Sequence, residues 1–361
     1  MAKKKSKLKL AQEKAELAIQ KTNDRIDFLG EKTSNLYQAL TDIQEAFDNI
    51  RNIPSDTHLQ YEKLKEIRLS WKSQAEKIDR DYKEACVKNT GKGAAGVGLG
   101  VGVVTLGPTA AMGIATTFGV ASTGTAISTL SGAAATNAAL AWLGGGALAA
   151  GGGGMAAGNA FLALAGPIGW AIAGISLLGS GLLLLKTTSD QKRRENIFTL
   201  ISERDVKSYE LAIIELNERI TRIIEETMLL NNAIDEIATY GLDYSKMTEK
   251  QQYTLGSYVN LMNASTQLLI NPILGLQAKY TEEDFDKFAL TTDVDSSLKK
   301  AIVSLSNLLY KIELDDKDRM ILYKSLKNNK DFLKAVELKK SDFKESILET
   351  INLVLMQKYN I

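Results

Sequence analysis

The sequence predicts an all-α protein in which long antiparallel coiled-coil arms flank an apolar, Gly/Ala-rich head and a helical bundle closes the C-terminus. Three observations carry this reading. Residues Gly93 to Leu185 contain no Asp, Glu, Lys, Arg or His, while the chain on either side is charged throughout. On both sides the apolar residues recur at spacings of three and four, the period of a helix packed along one seam. Outside the uncharged block no period-two strand pattern of any length appears.

The first arm spans residues 1–90. From Leu8 to Ile50 its seam reads Ile19, Ile26, Leu29, Leu36, Leu40, Ile43, Phe47 and Ile50, with Thr22 and Thr33 as polar interruptions. Pro54 disfavours helix at Ile53, and Ser55 or Asp56 caps the restart. A second helix then carries Leu64, Ile67, Trp71, Ala75, Ile78, Tyr82 and Ala85 toward Asn89. The second arm, residues 188–240, has the cleanest seam: Val206, Tyr209, Ile213, Leu216, Ile220, Ile223, Thr227, Leu230, Ile234 and Ile237. At about 1.5 Å per residue, its stretch from Asn196 to Tyr240 makes a rod of roughly 65 Å. Its expected partner is the first arm, antiparallel, with the uncharged block at the far end. Residues 241–361 are expected to form a C-terminal helical bundle, its last helices folding back on the arms. Gly241 reads as a C-cap, Thr248 and Gln251 as a capping box, and Pro272 as a stop. Further caps are expected at Asp295-Ser296 and Ser341-Asp342.

Lys plus Arg and Asp plus Glu nearly cancel, at 44 and 43, leaving a net charge of +1. No global field therefore points to nucleic acid, and none is expected as a partner. Five lysines crowd the first nine residues without an apolar core and cleavage site after them, so the chain is expected in the cytosol as synthesised, then at a membrane, with export lacking a signal as an option. The single cysteine, Cys86, excludes an internal disulfide framework.

Chemistry of sites is sparse. Gly91-Lys92-Gly93-Ala94-Ala95-Gly96 matches a dinucleotide glycine string, but a helix precedes it and no acid follows until Asp190, so it reads as a hinge. Asp293-Val294-Asp295 and Asp315-Asp316-Lys317-Asp318 lack the glycine and terminal glutamate of a calcium loop and read as caps and turns. The only histidine, His58, follows a turn and is expected to face water. No catalytic, cofactor-binding or metal-binding residue is assigned, no cofactor is expected, and the chain is not read as an enzyme.

The head, residues 91–187, holds the functional signal. Of the 93 residues from Gly93 to Leu185, 23 are glycine and 23 alanine. Glycine costs about 1 kcal/mol relative to alanine in a water-exposed helix, whereas small residues let helices approach closely in lipid. The spacings suit that: Gly96 with Gly100, Gly98 with Gly102, Gly154 with Gly158, and Gly169 with Ala173. Gly166 to Leu185 is the strongest span candidate, with Gly174 and Ile175 at its middle and Leu182 to Leu185 at its end; its nine Ile and Leu residues are worth roughly −4 kcal/mol on the insertion scale. Ala95 to Val120 is interrupted by Pro108, and Ala138 to Ala165 is weaker still. Totals this small favour a block that stays folded against protein in water and enters lipid later. Lys88 and Lys92 before the block, and Lys186, Lys192, Arg193 and Arg194 after it, put both ends on one face, so crossings are even in number, two or four. Trp142 and Trp170 suit headgroup level or a packed apolar region equally. Gly96 to Val103 alternates at period two, as a short β-tongue would, while its GxxxG spacings suit helices.

Two helical arms flanking a glycine-rich apolar head resemble the α-helical pore-forming toxins of the cytolysin A and haemolysin BL type, over about residues 5–240. Residues 122–167, with Ser-Gly-Ala-Ala-Ala-Thr-Asn at 131–137 and Leu-Gly-Gly-Gly at 143–146, look like a glycine-zipper membrane segment of bacterial proteins. The resemblance implies a head sequestered in a soluble form, release at a lipid bilayer, and assembly as a homo-oligomer or with partner helical subunits. The competing expectation is a constitutive bacterial membrane protein whose cytoplasmic coiled coil acts as scaffold or tether.

Overall fold

The computed structural model describes residues 7–93, 108–118, 188–277, 279–328, 332–333, 336 and 338–359. The all-α class holds. Nine α-helices are considered below: α1 (Lys7–Asp48), α2 (Ser55–Gly93), α3 (Pro108–Phe118), α4 (Thr188–Ile237), α5 (Glu249–Ile270), α6 (Glu282–Ala289), α7 (Lys299–Leu309), α8 (Asp316–Lys327) and α9 (Ser346–Tyr359). Among the described residues there is no strand, only an isolated parallel bridge between Arg51 and Asp243.

The arms pair differently from the expectation. The short turn at 49–54 folds α2 back on α1: Phe47 meets Tyr61 at 5.2 Å between ring centroids and Tyr37 meets Trp71 at 5.7 Å. Lys65 and Gln44 add polar contacts to Asp48 and Glu62. The antiparallel pair is thus α1 with α2. The α4 helix packs along α1 and runs parallel to it. The segments that follow the two helices lie side by side, where Arg51 donates its amide to the Leu242 carbonyl at 3.0 Å and Tyr244 returns one to Arg51 at 2.9 Å. At the other end, Leu8 joins a core containing Ile197, Phe198 and Ile201.

Local signals fix the connection from α4 to α5. Gly241 adopts φ +82°, a left-handed conformation that glycine supplies without strain. Thr248 and Gln251 form the expected capping box. The α5 helix then returns antiparallel to α4, with Tyr258 donating to Glu236 and Ser265 to Glu226.

Two apolar cores result. The larger joins α1 to α5 with the turn at Leu274–Leu276. The smaller gathers Tyr280 to Val354 with Leu8 and the start of α4. The apolar face of α5, including Leu255, Val259, Met262 and Leu269, belongs to the larger core with the arms.

Candidate functional site: an apolar helix inside the bundle

The α3 helix is the described part of the uncharged block. Pro108 opens it at the position where a missing amide hydrogen is harmless. Ala111, Gly113, Ile114, Ala115, Thr116 and Thr117 are buried in succession. Only Thr109 is exposed and Met112 half-buried among its described side chains, and the helix's neighbours are α1, α2 and α5.

The approach to α1 is set by two glycines. A Cβ on Gly30 would sit 1.8 Å from the Thr109 carbonyl oxygen, and a Cβ on Gly113 would sit 2.1 Å from the Ile26 carbonyl oxygen. The two backbones therefore touch, and any side chain at either position would separate them. At the end of α3, the Thr117 carbonyl accepts the Ile273 amide at 2.7 Å, and Thr117 Oγ1 donates to the Gly113 carbonyl. The apolar block is thus tied to the turn after α5 as well as to the arms.

The larger core, to which this helix belongs, holds buried polar atoms that are not satisfied. Thr33 Oγ1, Gln44 Oε1, Arg68 Nε and Nη1, Trp71 Nε1 and Thr116 Oγ1 are buried without hydrogen bonds among the described residues. Each such atom costs about 1–3 kcal/mol. Burial also lowers the pKa of the Arg68 guanidinium, against the opposing pull of Tyr37, Asp48 and Glu62. The Thr22 hydroxyl, by contrast, bonds back to the Ala18 carbonyl at 2.8 Å.

The residues singled out in the head, Gly96, Gly100, Gly154, Gly158, Trp142, Gly166, Trp170, Gly174, Ile175, Leu182 and Leu185, lie outside the described residues, as does Lys186. So do the β-tongue candidate and the strongest span. Lys88 and Lys92 belong to the last turns of α2. On α4, Lys192 is exposed, whereas Arg193 binds Asp315 at 2.7 Å and Asp318 at 2.8 Å. Arg194 is buried. Arg193 thus ties the start of α4 to the start of α8 in a surface ion-pair cluster, while Arg194 is taken up by the interior. Among the described residues no helix is long and apolar enough to cross a membrane, and no group of three His, Cys, Asp or Glu side chains could hold a metal ion.

His58 is exposed at the α1–α2 turn, with Nδ1 2.6 Å from the Tyr61 hydroxyl. It lines an open cavity of about 760 Å³ with Asp48, Asn52, Glu62 and Lys65. Burial, with Asp48 and Glu62 adding to it, pushes the Tyr61 hydroxyl up to about 12, so it stays protonated. Asp315 accepts the Asp318 amide at the start of α8, the cap expected of that acidic run.

Gly30 is the functional residue that the sequence reading passed over. Its signal was an isolated glycine in the middle of a charged helical pattern, which calls for a packing reason. No protein-family model, curated protein or solved structure matches the chain.

Proposed function

We propose that the chain is a membrane-inserting protein, pore-forming or membrane-perturbing in the manner of a toxin or effector, which keeps its uncharged block against the charged arms until it meets a lipid bilayer. The observation that carries this reading is the burial of α3, a piece of that block, between α1, α2 and α5. A constitutive anchor has no need to seat its apolar block in the core of its own arms. The Thr116 hydroxyl, buried on α3 without a hydrogen bond among the described residues, supports conditional release, since it lowers the stability of the packed state. On insertion the block crosses an even number of times, and the exposed arms then assemble with further copies or helical partners.

The test is dye release from vesicles by chain purified without detergent. Release by the wild type, sharply reduced by Gly174→Asp, is the expected result, because an aspartate at mid-span costs about 3 kcal/mol of insertion. Recovery of the chain only in detergent, with no release, would overturn the proposal in favour of the scaffold or tether.

A further inference from the structure

The α4 helix carries a second apolar surface on the side away from the bundle. Leu211, Ile214, Met228 and Leu229 are exposed at 61%, 59%, 62% and 52%. Ile224 lies at the margin of the same face. Its chemistry is palindromic. Leu211 and Leu229 stand nine residues either side of position 220 and share one helical azimuth at 100° per residue. Glu218 and Arg222 stand two residues either side of the same position, between the apolar pairs.

Such an arrangement is self-complementary under a two-fold axis, the commonest symmetry of homo-oligomers. With two α4 helices antiparallel and crossing near residue 220, Leu211 of one copy meets Leu229 of the other and Glu218 meets Arg222, while Ile214 lies diagonal to Met228, a fraction of a turn out of register. Each contact occurs twice. A lipid surface is a poor occupant, because Glu218, Arg222 and Glu225 would be carried into hydrocarbon with the apolar residues. An unrelated partner would have no need of the palindrome.

We infer that the outward face of α4 is a homodimer interface, an antiparallel two-fold contact between residues 211 and 229 of two copies of this chain. The contact spans about 27 Å of helix. It does not rest on the membrane reading: the face is present in the packed form and needs no lipid.

Analytical ultracentrifugation of the full chain in lipid-free buffer, from about 1 to 100 µM, tests it. The wild type should dimerise. Glu218→Arg and Arg222→Glu should each weaken the dimer at least about tenfold by setting like charges against each other, and the double variant should recover it, since the pair re-forms with its signs exchanged. Leu211→Asp should abolish it, with far-UV circular dichroism unchanged. A wild type that stays monomeric would overturn the inference, as would a dimer indifferent to Glu218→Arg or a double variant that fails to recover. Loss of vesicle flotation in Leu211→Asp without any self-association would assign the face to lipid and overturn it equally. Dye release by a chain that never dimerises would leave the proposed function standing.

Discussion

Arg204 and Asp205, neighbours on α4, show how much a pair of charged residues can decide when the sequence hides their surroundings. Arg204 Nη1 donates to the carbonyls of Leu308 at 2.8 Å and Tyr310 at 2.6 Å, satisfying the C-terminus of α7. Its Nε and Nη2 bond Asp205 Oδ1 at 2.9 and 2.7 Å. Asp205 is buried, and its other oxygen has no hydrogen bond among the described residues. Burial pushes its carboxyl up to about 6, against the pull of the Arg204 guanidinium. The same surroundings raise the Tyr209 hydroxyl, through burial first and the nearby Asp205 charge second. The unfolded chain releases the Asp205 proton near pH 4, whereas the folded chain holds it to about 6. Proton binding by this group therefore favours the fold fully below about pH 4, and the benefit is lost as the pH rises through about 6. A shift of about two units corresponds to roughly 3 kcal/mol. Asp205→Asn keeps an acceptor for Arg204 and removes the titration. It should raise the urea midpoint at pH 7 relative to the wild type, with the difference shrinking between pH 6 and pH 4. An identical pH profile in both proteins would show that Asp205 is not held as described. Asp243, depressed to about 2 mainly by hydrogen bonds from Asn52 and Ser245, titrates below that window and does not blur it.

Elements were legible in the sequence to the extent that their period was. The seam read on α4 is the buried one: Tyr209, Leu216, Ile220, Ile223, Leu230 and Ile237 all face the core, joined by Ala212 and Ala233. Its direction was not legible, since a heptad pattern reads the same for parallel and antiparallel partners. Direction came from the turn at Pro54, which makes α1 and α2 neighbours and leaves α4 to run with α1. The alanines Ala11, Ala15 and Ala18 that bury the N-terminal turns of α1 were too small to stand out in the pattern. The α3 helix was not separable either, because a Gly/Ala composition looks alike whether lipid or protein surrounds it. What encodes its place is Gly30, and the magnitudes say which way a change there would go. Gly30→Ala gains about 1 kcal/mol of helix propensity in α1. It also drives a methyl group to 1.8 Å from a backbone oxygen, and overpacking of even ordinary severity costs about 1–3 kcal/mol. Since the obstacle is backbone on both helices, the second effect should win. The expected outcome is a lower urea midpoint and faster amide exchange in residues 108–118. An unchanged midpoint would mean that α1 and α3 separate at no cost.

At the scale of the molecule, α4 is a spine on which two cores meet. Arg219 caps the end of α5 through the Leu268 and Asn271 carbonyls at 2.8 and 2.7 Å, just as Arg204 caps α7. Arg193 ties the start of the spine to α8. Nothing comparable holds α3. Its described ties are the glycine crossing, apolar contact through small side chains, and the single amide from Ile273. Burial of Ile114, Ala111 and Ala115 contributes about 4–5 kcal/mol at ~0.8 kcal/mol per buried carbon group. The stranded Thr116 hydroxyl subtracts from that. The proposed function requires that α3 withdraw with the rest of the uncharged block while the spine stays intact. A reversible cross-link separates this from insertion with α3 in place. Thr117 and Ile273 are joined backbone to backbone at 2.7 Å, which brings their Cα atoms near the ~4.4–6.8 Å that a disulfide spans. In a Cys86→Ala background, Thr117→Cys with Ile273→Cys should form that bond on oxidation, abolish dye release from vesicles, and regain it with a reducing agent. Equal release from the oxidised and reduced forms would show that the block enters lipid without leaving the bundle, and that α3 is a fixed part of the soluble core.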